Sequence, residues 1–286
     1  MRSNIINKFS DGVDNLSSSL VGGKALLLSV LYKKGFPVPD GFVINSRAFD
    51  HILAQIYKEC GKYKICTEDI RKNIIKSKIP PELTETINDS FDSLNTVFVA
   101  VRSSASLEDG EKHSYAGQFE SFLGVNKGEL LPKISLCWAS FFGRRAVAYS
   151  KMAGNTGKMA VIIQQMVEAD VSGVCFSIDP VSEDAKTIVM ETVSGPGEML
   201  VQGSAVPDRY ILDKETLIIK EKHVNMNVII NAEAVKEVAG VAAAIEKLFG
   251  GPIDMEWALS GGRLYVLQAR PVTALKNVRD LTQKTP

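Results

Sequence analysis

Hydrophobic positions along the chain follow two periods. Ala25 to Lys34 carries apolar residues at helical spacing behind Gly22-Gly23-Lys24, and Gly35, Pro37 and Pro39 stop it. Phe42-Val43-Ile44 is a short strand, with Ser46 placed to cap a helix beginning near Arg47. Residues 58–90 are Lys-rich and helical, interrupted by Pro80-Pro81. Val97 to Val101 is β-branched and runs into Arg102-Ser103-Ser104. Leu107 to Gly117 is a polar loop, Phe119 to Val125 a strand, and Leu130 to Lys151 one long helix carrying Trp138 and Arg145. Further strands are expected at Ala160 to Met166, Gly173 to Ile178 and Thr187 to Glu191, the last leading into Ser194-Gly195-Pro196-Gly197-Glu198. Tyr210 to Leu212 and Leu217 to Lys220 form a hairpin around Asp213-Lys214. Ala232 to Phe249 is an amphipathic helix stopped by Gly250-Gly251-Pro252. Ile253 to Leu259 and Arg263 to Gln268 alternate and are joined by Ser260-Gly261-Gly262, a second hairpin. Mixed helices and strands predict an α+β fold, with one lobe over 1–160 and another over 161–286.

Composition adjusts this picture little. The chain has 286 residues, 45% hydrophobic and 23% charged, which is ordinary for a globular protein. Lys+Arg and Asp+Glu each total 33, so the formal net charge is zero. That argues against a protein-wide basic field for nucleic acid or an anionic membrane. No apolar run approaches the roughly 20 residues that span a bilayer, and residues 1–20 lack a signal-peptide core. The four cysteines, at 60, 66, 137 and 175, form no C-x-x-C and no zinc spacing. Thiols in a reducing, cytoplasmic compartment are the expectation.

Candidate chemistry sits in three places. In the terminal hairpin, Asp254 and Glu256 are two apart on one strand, and Gln268 and Arg270 two apart on the next. Residues two apart share a face of a strand. If the faces agree, two carboxylates, an amide oxygen and a guanidinium converge, a donor set that suits Mg²⁺ and a phosphate. The alternative reading is an exposed strand pair with a surface ion pair. Lys24 follows two glycines at a helix start, where backbone N–H groups attract anions, although the P-loop spacing is absent. Arg102 ends a buried-looking strand and needs an anionic partner, either a ligand or a structural acid. Finally, the loop Lys112-His113-Ser114-Tyr115-Ala116-Gly117-Gln118 is small, polar and Gly-containing, as a phosphate lid or an ordinary surface loop would be.

Taken in order, four blocks resemble the N-terminal nucleotide-binding domain of the pyruvate phosphate dikinase, phosphoenolpyruvate synthase and rifampin phosphotransferase family. They are VGGKALLLSVLYKKGFPVPDGFVI, VAVRSSASLEDGEKHSYAGQFESFLGV, VIIQQMVEADVSGVCFSIDP and IDMEWALSGGRLYVLQARPVT, spanning about Val21 to Thr273. The resemblance implies an ATP-grasp fold, two α+β lobes with ATP held between them. It implies that Lys24, Arg102 and Arg270 are phosphate-handling cations, and that Ser114, Tyr115, Ala116 and Gly117 form the lid. Gln164, Gln165, Met166 and Val167 correspond to the strand that reads adenine, and Glu198 to the ribose position. Glu256 and Gln268, with Asp254 close by, correspond to the Mg²⁺ ligands. Arg145 falls in a similar helix motif. The chain departs from the family in having Ala25 where Gly is frequent, and Pro196 within the turn before Glu198.

The resemblance further implies that ATP is split to AMP and phosphate, with a phosphoryl group passed to a histidine on a swivelling domain and on to an acceptor held elsewhere. The three histidines, His51, His113 and His223, lie outside any Thr-Ser/Cys-His-Ala-type acceptor motif. The expectation is therefore an ATP-dependent donor component whose phospho-histidine domain and acceptor-binding component are separate, with this chain either a subunit or a piece of a longer protein. A stand-alone ATP-grasp ligase or direct small-molecule kinase, and a non-catalytic ATP-sensing module, remain alternatives.

Overall fold

The computed structural model describes residues 5–14, 16–60, 66–106, 119–143, 157–197, 206–225 and 230–272. The chain divides into two compact units, Met1–Lys33 with Asp40–Met166, and Lys34–Pro39 with Val167–Pro286. The division expected at 160/161 falls at 166/167, because Met159–Gln165 is the central strand of the first unit's sheet.

The first unit contains β1 (Ile6–Lys8), β2 (Gly41–Ile44), β3 (Val99–Ala105), β4 (Ser121–Val125) and β5 (Met159–Gln165), with helices α1 (Ser18–Val21), α2 (Gly23–Lys33), α3 (Ser46–Cys60), α4 (Thr67–Lys76), α5 (Pro81–Ser93) and α6 (Leu130–Ser140). Its antiparallel sheet has the order β1-β2-β5-β3-β4. Strand alternation divides its side chains. Phe42, Ile44, Val99, Val101, Ala105, Met159, Val161 and Ile163 enter one apolar core with Trp138 of α6, Ile52 of α3 and Ile87 of α5. The other face presents Val43, Ala100, Arg102, Ser104, Ala160, Ile162 and Gln164, and α2 packs against it through Ser104.

Two elements depart from expectation. Asn45, not Ser46, caps α3: its Oδ1 accepts the Arg47 N–H at 3.1 Å. Among the described residues α6 ends at Ser140, well short of Lys151. The Ser140 hydroxyl donates to the Cys137 carbonyl at 2.7 Å, competing with the backbone ladder, and Gly143 N–H closes a turn on the Ser140 carbonyl at 2.9 Å. Phe141 then turns back against Phe49, ring centroids 5.4 Å apart.

The second unit contains β6 (Val171–Phe176), β7 (Thr187–Ser194), β8 (Asp208–Asp213), β9 (Ile219–His223), β10 (Ile253–Ser260), β11 (Arg263–Pro271) and α7 (Ala232–Phe249). Its antiparallel sheet has the order β11-β10-β6-β7-β8-β9. α7 starts where the Asn231 side chain accepts the Ala234 N–H at 2.8 Å and stops at left-handed Gly250. Its apolar stripe, Val235, Val238, Ala239, Ala242 and Ile245, is buried with Met255, Trp257 and Cys175. On the edge strand β9 Lys220, Glu221, Lys222 and His223 are all exposed.

Gly173 in β6 is fixed by close approach. A Cβ there would strike the Glu191 carbonyl and come within 2.9 Å of the Trp257 ring. Gly173→Ala is expected to cost about 1–3 kcal/mol of stability by overpacking, read from urea unfolding midpoints. At the β8–β9 turn, the Thr216 N–H and hydroxyl donate to Asp213 at 3.0 and 2.9 Å, and Lys220 pairs with it at 2.9 Å. These contacts hold the Asp213 carboxyl well below its ordinary value. A depressed folded pKa contributes stability above the unfolded value of about 3.9 that is lost as pH falls below it. Asp213→Asn should therefore flatten the acid limb of the stability–pH curve, measured by thermal unfolding below pH 4.

Candidate functional site

The hairpin register shows which of these side chains share a face. In β10 and β11, Asp254 lies opposite Arg270 and Glu256 opposite Gln268, so all four share one face of the sheet. A bulge in β11 between Glu256/Gln268 and Trp257/Val266 makes this possible, leaving Leu267 as the extra residue. It keeps Gln268 on the polar face while Val266 enters the apolar one, beside Trp257.

The Arg270 guanidinium donates to Asp254 Oδ2 through Nε at 2.9 Å and Nη2 at 2.7 Å. The Asp254 side chain is only 12% exposed and that of Arg270 33%. Burial pushes the Asp254 carboxyl above its ordinary value, the Arg270 charge opposes the shift, and the Glu256 charge adds to it. The neighbouring Cys175 thiol is pushed up by burial and by Asp254. The hairpin is thus an acidic edge holding one cation in place. Two carboxylates and the Gln268 amide oxygen are hard donors suited to Mg²⁺. Among the described residues no group of three or more His, Cys, Asp or Glu forms a metal cluster.

Two further charged residues lie on this face. Across the sheet, Gln268, Glu256, Val174, Glu191, Arg209 and His223 form one cross-strand row. Sequence reading passed over Glu191, taken as the end of a strand that in fact continues to Ser194, and over Arg209, in a strand that starts two residues before Tyr210. The signal available was a charge inside an alternating strand. Arg209 Nε is buried with no hydrogen-bond acceptor among the described residues, and its charge helps hold Asp179 below its ordinary value.

In the first unit, Lys24 lies in the first turn of α2 and Arg102 on the face of β3 that α2 covers. Burial pushes the Cys137 thiol up, Glu120 adds to this, and the Lys24 charge opposes it. Gln164 is buried on the Arg102 face, one cross-strand row beyond it. Gln165 is engaged structurally: its N–H donates to the Asp40 carbonyl at 2.8 Å and its side chain to the Leu94 carbonyl at 2.7 Å. Met166 N–H donates to the Phe98 carbonyl at 3.1 Å. Val167, half-buried, begins the second unit.

Ser114, Tyr115, Ala116, Gly117 and Glu198, with His113 and Arg145, lie outside the described residues. The turn ahead of Glu198 is described as far as Gly197, and the Ser172 hydroxyl donates to the Gly195 carbonyl at 2.5 Å. Of the cysteines, Cys66, Cys137 and Cys175 are free thiols, the last two buried. Among the described residues no helix is long and apolar enough to cross a membrane.

The second unit thus carries an acidic hairpin with one forked arginine, and the first unit carries Arg102 on the sheet face that the start of α2, with Lys24, approaches. The chain belongs to the family described as pyruvate phosphate dikinase, AMP/ATP-binding domain, whose profile matches residues 18–230 and 224–285. It is 31% identical to a probable phosphoenolpyruvate synthase of Methanocaldococcus jannaschii, over 94% of this chain and 27% of that protein. It is 32% identical to the uncharacterized phosphotransferase YvkC of Bacillus subtilis, over 91% of this chain and 34% of that protein. A phosphoenolpyruvate synthase of Aeropyrum pernix is 31% identical, over 93% of this chain and 42% of that protein. The chain therefore spans less than half the length of each of these relatives.

Arg270→Ala strands the Asp254 carboxylate and is expected to cost about 2 kcal/mol, between the values of exposed and fully buried pairs. The double variant Asp254→Leu/Arg270→Met should lose less than Arg270→Ala alone, because no buried charge is left unpaired. Urea unfolding of both variants checks the order.

Proposed function

We propose that this chain is the ATP-binding, phosphoryl-donating component of a dikinase-like system. It splits ATP, with water, to AMP and phosphate and passes the β-phosphoryl group to a histidine on a separate domain or subunit. The observation that carries the reading is the hairpin register, which sets Asp254, Glu256, Gln268 and Arg270 on one face in a chain of this family. Relatives named phosphoenolpyruvate synthase, more than twice as long, support a division of labour in which other segments hold the histidine and the acceptor.

In this reading Glu256 and Gln268, with Asp254 beside them, hold Mg²⁺, which when bound neutralises charge on the phosphate oxygens. Lys24, Arg102 and Arg270 act on the phosphates by charge alone. Phosphoryl transfer needs positioning and electrostatic stabilisation more than covalent chemistry from the protein. A neutral imidazole acceptor also needs no strong base here. Arg270 must exchange its fork on Asp254 for a phosphate, and the Asp254 position lets that carboxylate turn to the cation as it is released. The lid is assigned to Ser114, Tyr115, Ala116 and Gly117, adenine reading to Gln164, Gln165, Met166 and Val167, and the ribose to Glu198. For Gln165 and Met166 the backbone carbonyls carry that role, since both N–H groups are engaged. A cytoplasmic setting, where ATP meets reduced thiols, belongs to the same reading.

³¹P NMR of the protein with ATP and Mg²⁺, alone and with a candidate histidine domain, tests it. AMP and phosphate should form only with the partner. ADP formed with a small acceptor alone sinks the reading in favour of a direct kinase or ligase, and tight binding without turnover under any partner favours a sensor. Glu256→Ala and Arg270→Lys should each lower turnover at least about a hundredfold, the scale for losing one transition-state contact. Near-normal turnover by either variant refutes its role.

A further inference from the structure

We infer that Ser104 is the residue that positions Lys24 for the phosphates, acting as a helix cap supplied from a distant strand. The inference rests on the reading of Lys24 given above. α2 has no capping side chain of its own. Its first intrahelical bond runs from Leu26 N–H to the Gly22 carbonyl at 3.1 Å, so the capping position is occupied by glycine. First-turn N–H groups of a helix have no partner inside it. The Ser104 hydroxyl, 79 residues away in sequence, accepts the Ala25 N–H at 3.1 Å, next to Lys24.

Close packing locks the same joint. Gly22 has φ +77°, and a Cβ there would strike the Ser104 side chain and carbonyl. Only glycine lets the helix start this near the strand. Ser104 is fully buried, so its acceptor oxygen has no competing solvent. Arg102 stands two residues away on the same strand and the same face, roughly 6.8 Å along it. One rigid strand therefore carries Arg102 and, through Ser104, fixes where Lys24 leaves its helix.

The adjacent serine is an internal control. Ser103 points to the opposite face, into the apolar core, and its buried hydroxyl has no hydrogen-bond partner among the described residues. Identical in chemistry and next in sequence, Ser103 has no route to α2.

Calorimetric titration with Mg·ATP separates the possibilities. Ser104→Ala should weaken binding about three- to tenfold, the scale of one hydrogen bond. Lys24→Ala should weaken it at least as much, and the double variant should bind no more weakly than Lys24→Ala alone, because Ser104 acts through Lys24. Ser103→Ala should bind as the unaltered protein does. Additive losses, an equal loss in Ser103→Ala, or unchanged binding by Ser104→Ala beside a weakened Lys24→Ala would overturn the inference while leaving the role of Lys24 intact. Unchanged binding by Lys24→Ala overturns the reading of Lys24 and the inference with it. If Ser104→Ala does not fold, Ser104→Cys keeps the volume with only a weak acceptor, and the same cycle applies.

Discussion

The pairing register of β10 and β11 is the constraint on which the second unit depends. Strand side chains alternate strictly, so a slip of one residue would send Asp254 and Glu256 into the apolar layer under α7 and bring Met255 and Trp257 to the surface. That exchange would bury two carboxylates and expose a tryptophan, which makes the observed register strongly preferred. The same packing that stabilises the sheet therefore orients the acidic edge. The bulge at Leu267 reconciles both demands on β11, with Val266 in the core and Gln268 on the site face.

The first unit solves a similar problem with a helix instead of a hairpin. Its sheet puts one face into the α3–α6 core and leaves the other to α2, so Arg102 and the start of α2 meet on common ground. Cationic groups are costly to crowd, and here the backbone of β3 and α2 fixes where Arg102 and Lys24 leave the chain. In the second unit the cation is instead stored on a partner: the Asp254–Arg270 fork holds the guanidinium in shape.

Much of this was legible in the sequence. α7 matches its expected span residue for residue, because Asn231, a clear amphipathic stripe and Gly250 all agree. The hairpin around Gly261-Gly262 was equally clear, and its residues were identified before their shared face was known. Other features were hidden for physical reasons. Three-residue β1 is too short to show a period. The end of α6 depends on Ser140 and on aromatic contacts with α3 that no local pattern encodes. The bulge breaks alternation, so β11 read as ending at Gln268 although it runs to Pro271. Glu191 and Arg209 become neighbours only through the pairing of β7 with β8.

The edge strands carry a consequence of another kind. An open sheet edge is a template for adding foreign strands, and each of the four edges is closed by a different device. β1 has only three residues to offer. β4 is bulged at Leu123 and Gly124, where φ is +63°, and Lys133 sits over Phe122 at 4.7 Å. β9 presents Lys220, Glu221, Lys222 and His223 to water. β11 is engaged by the 34–39 segment, Val266 N–H donating to the Pro37 carbonyl at 2.9 Å. A chain of no net charge has little electrostatic repulsion to keep its copies apart, so resistance to aggregation falls to these edges rather than to the surface as a whole.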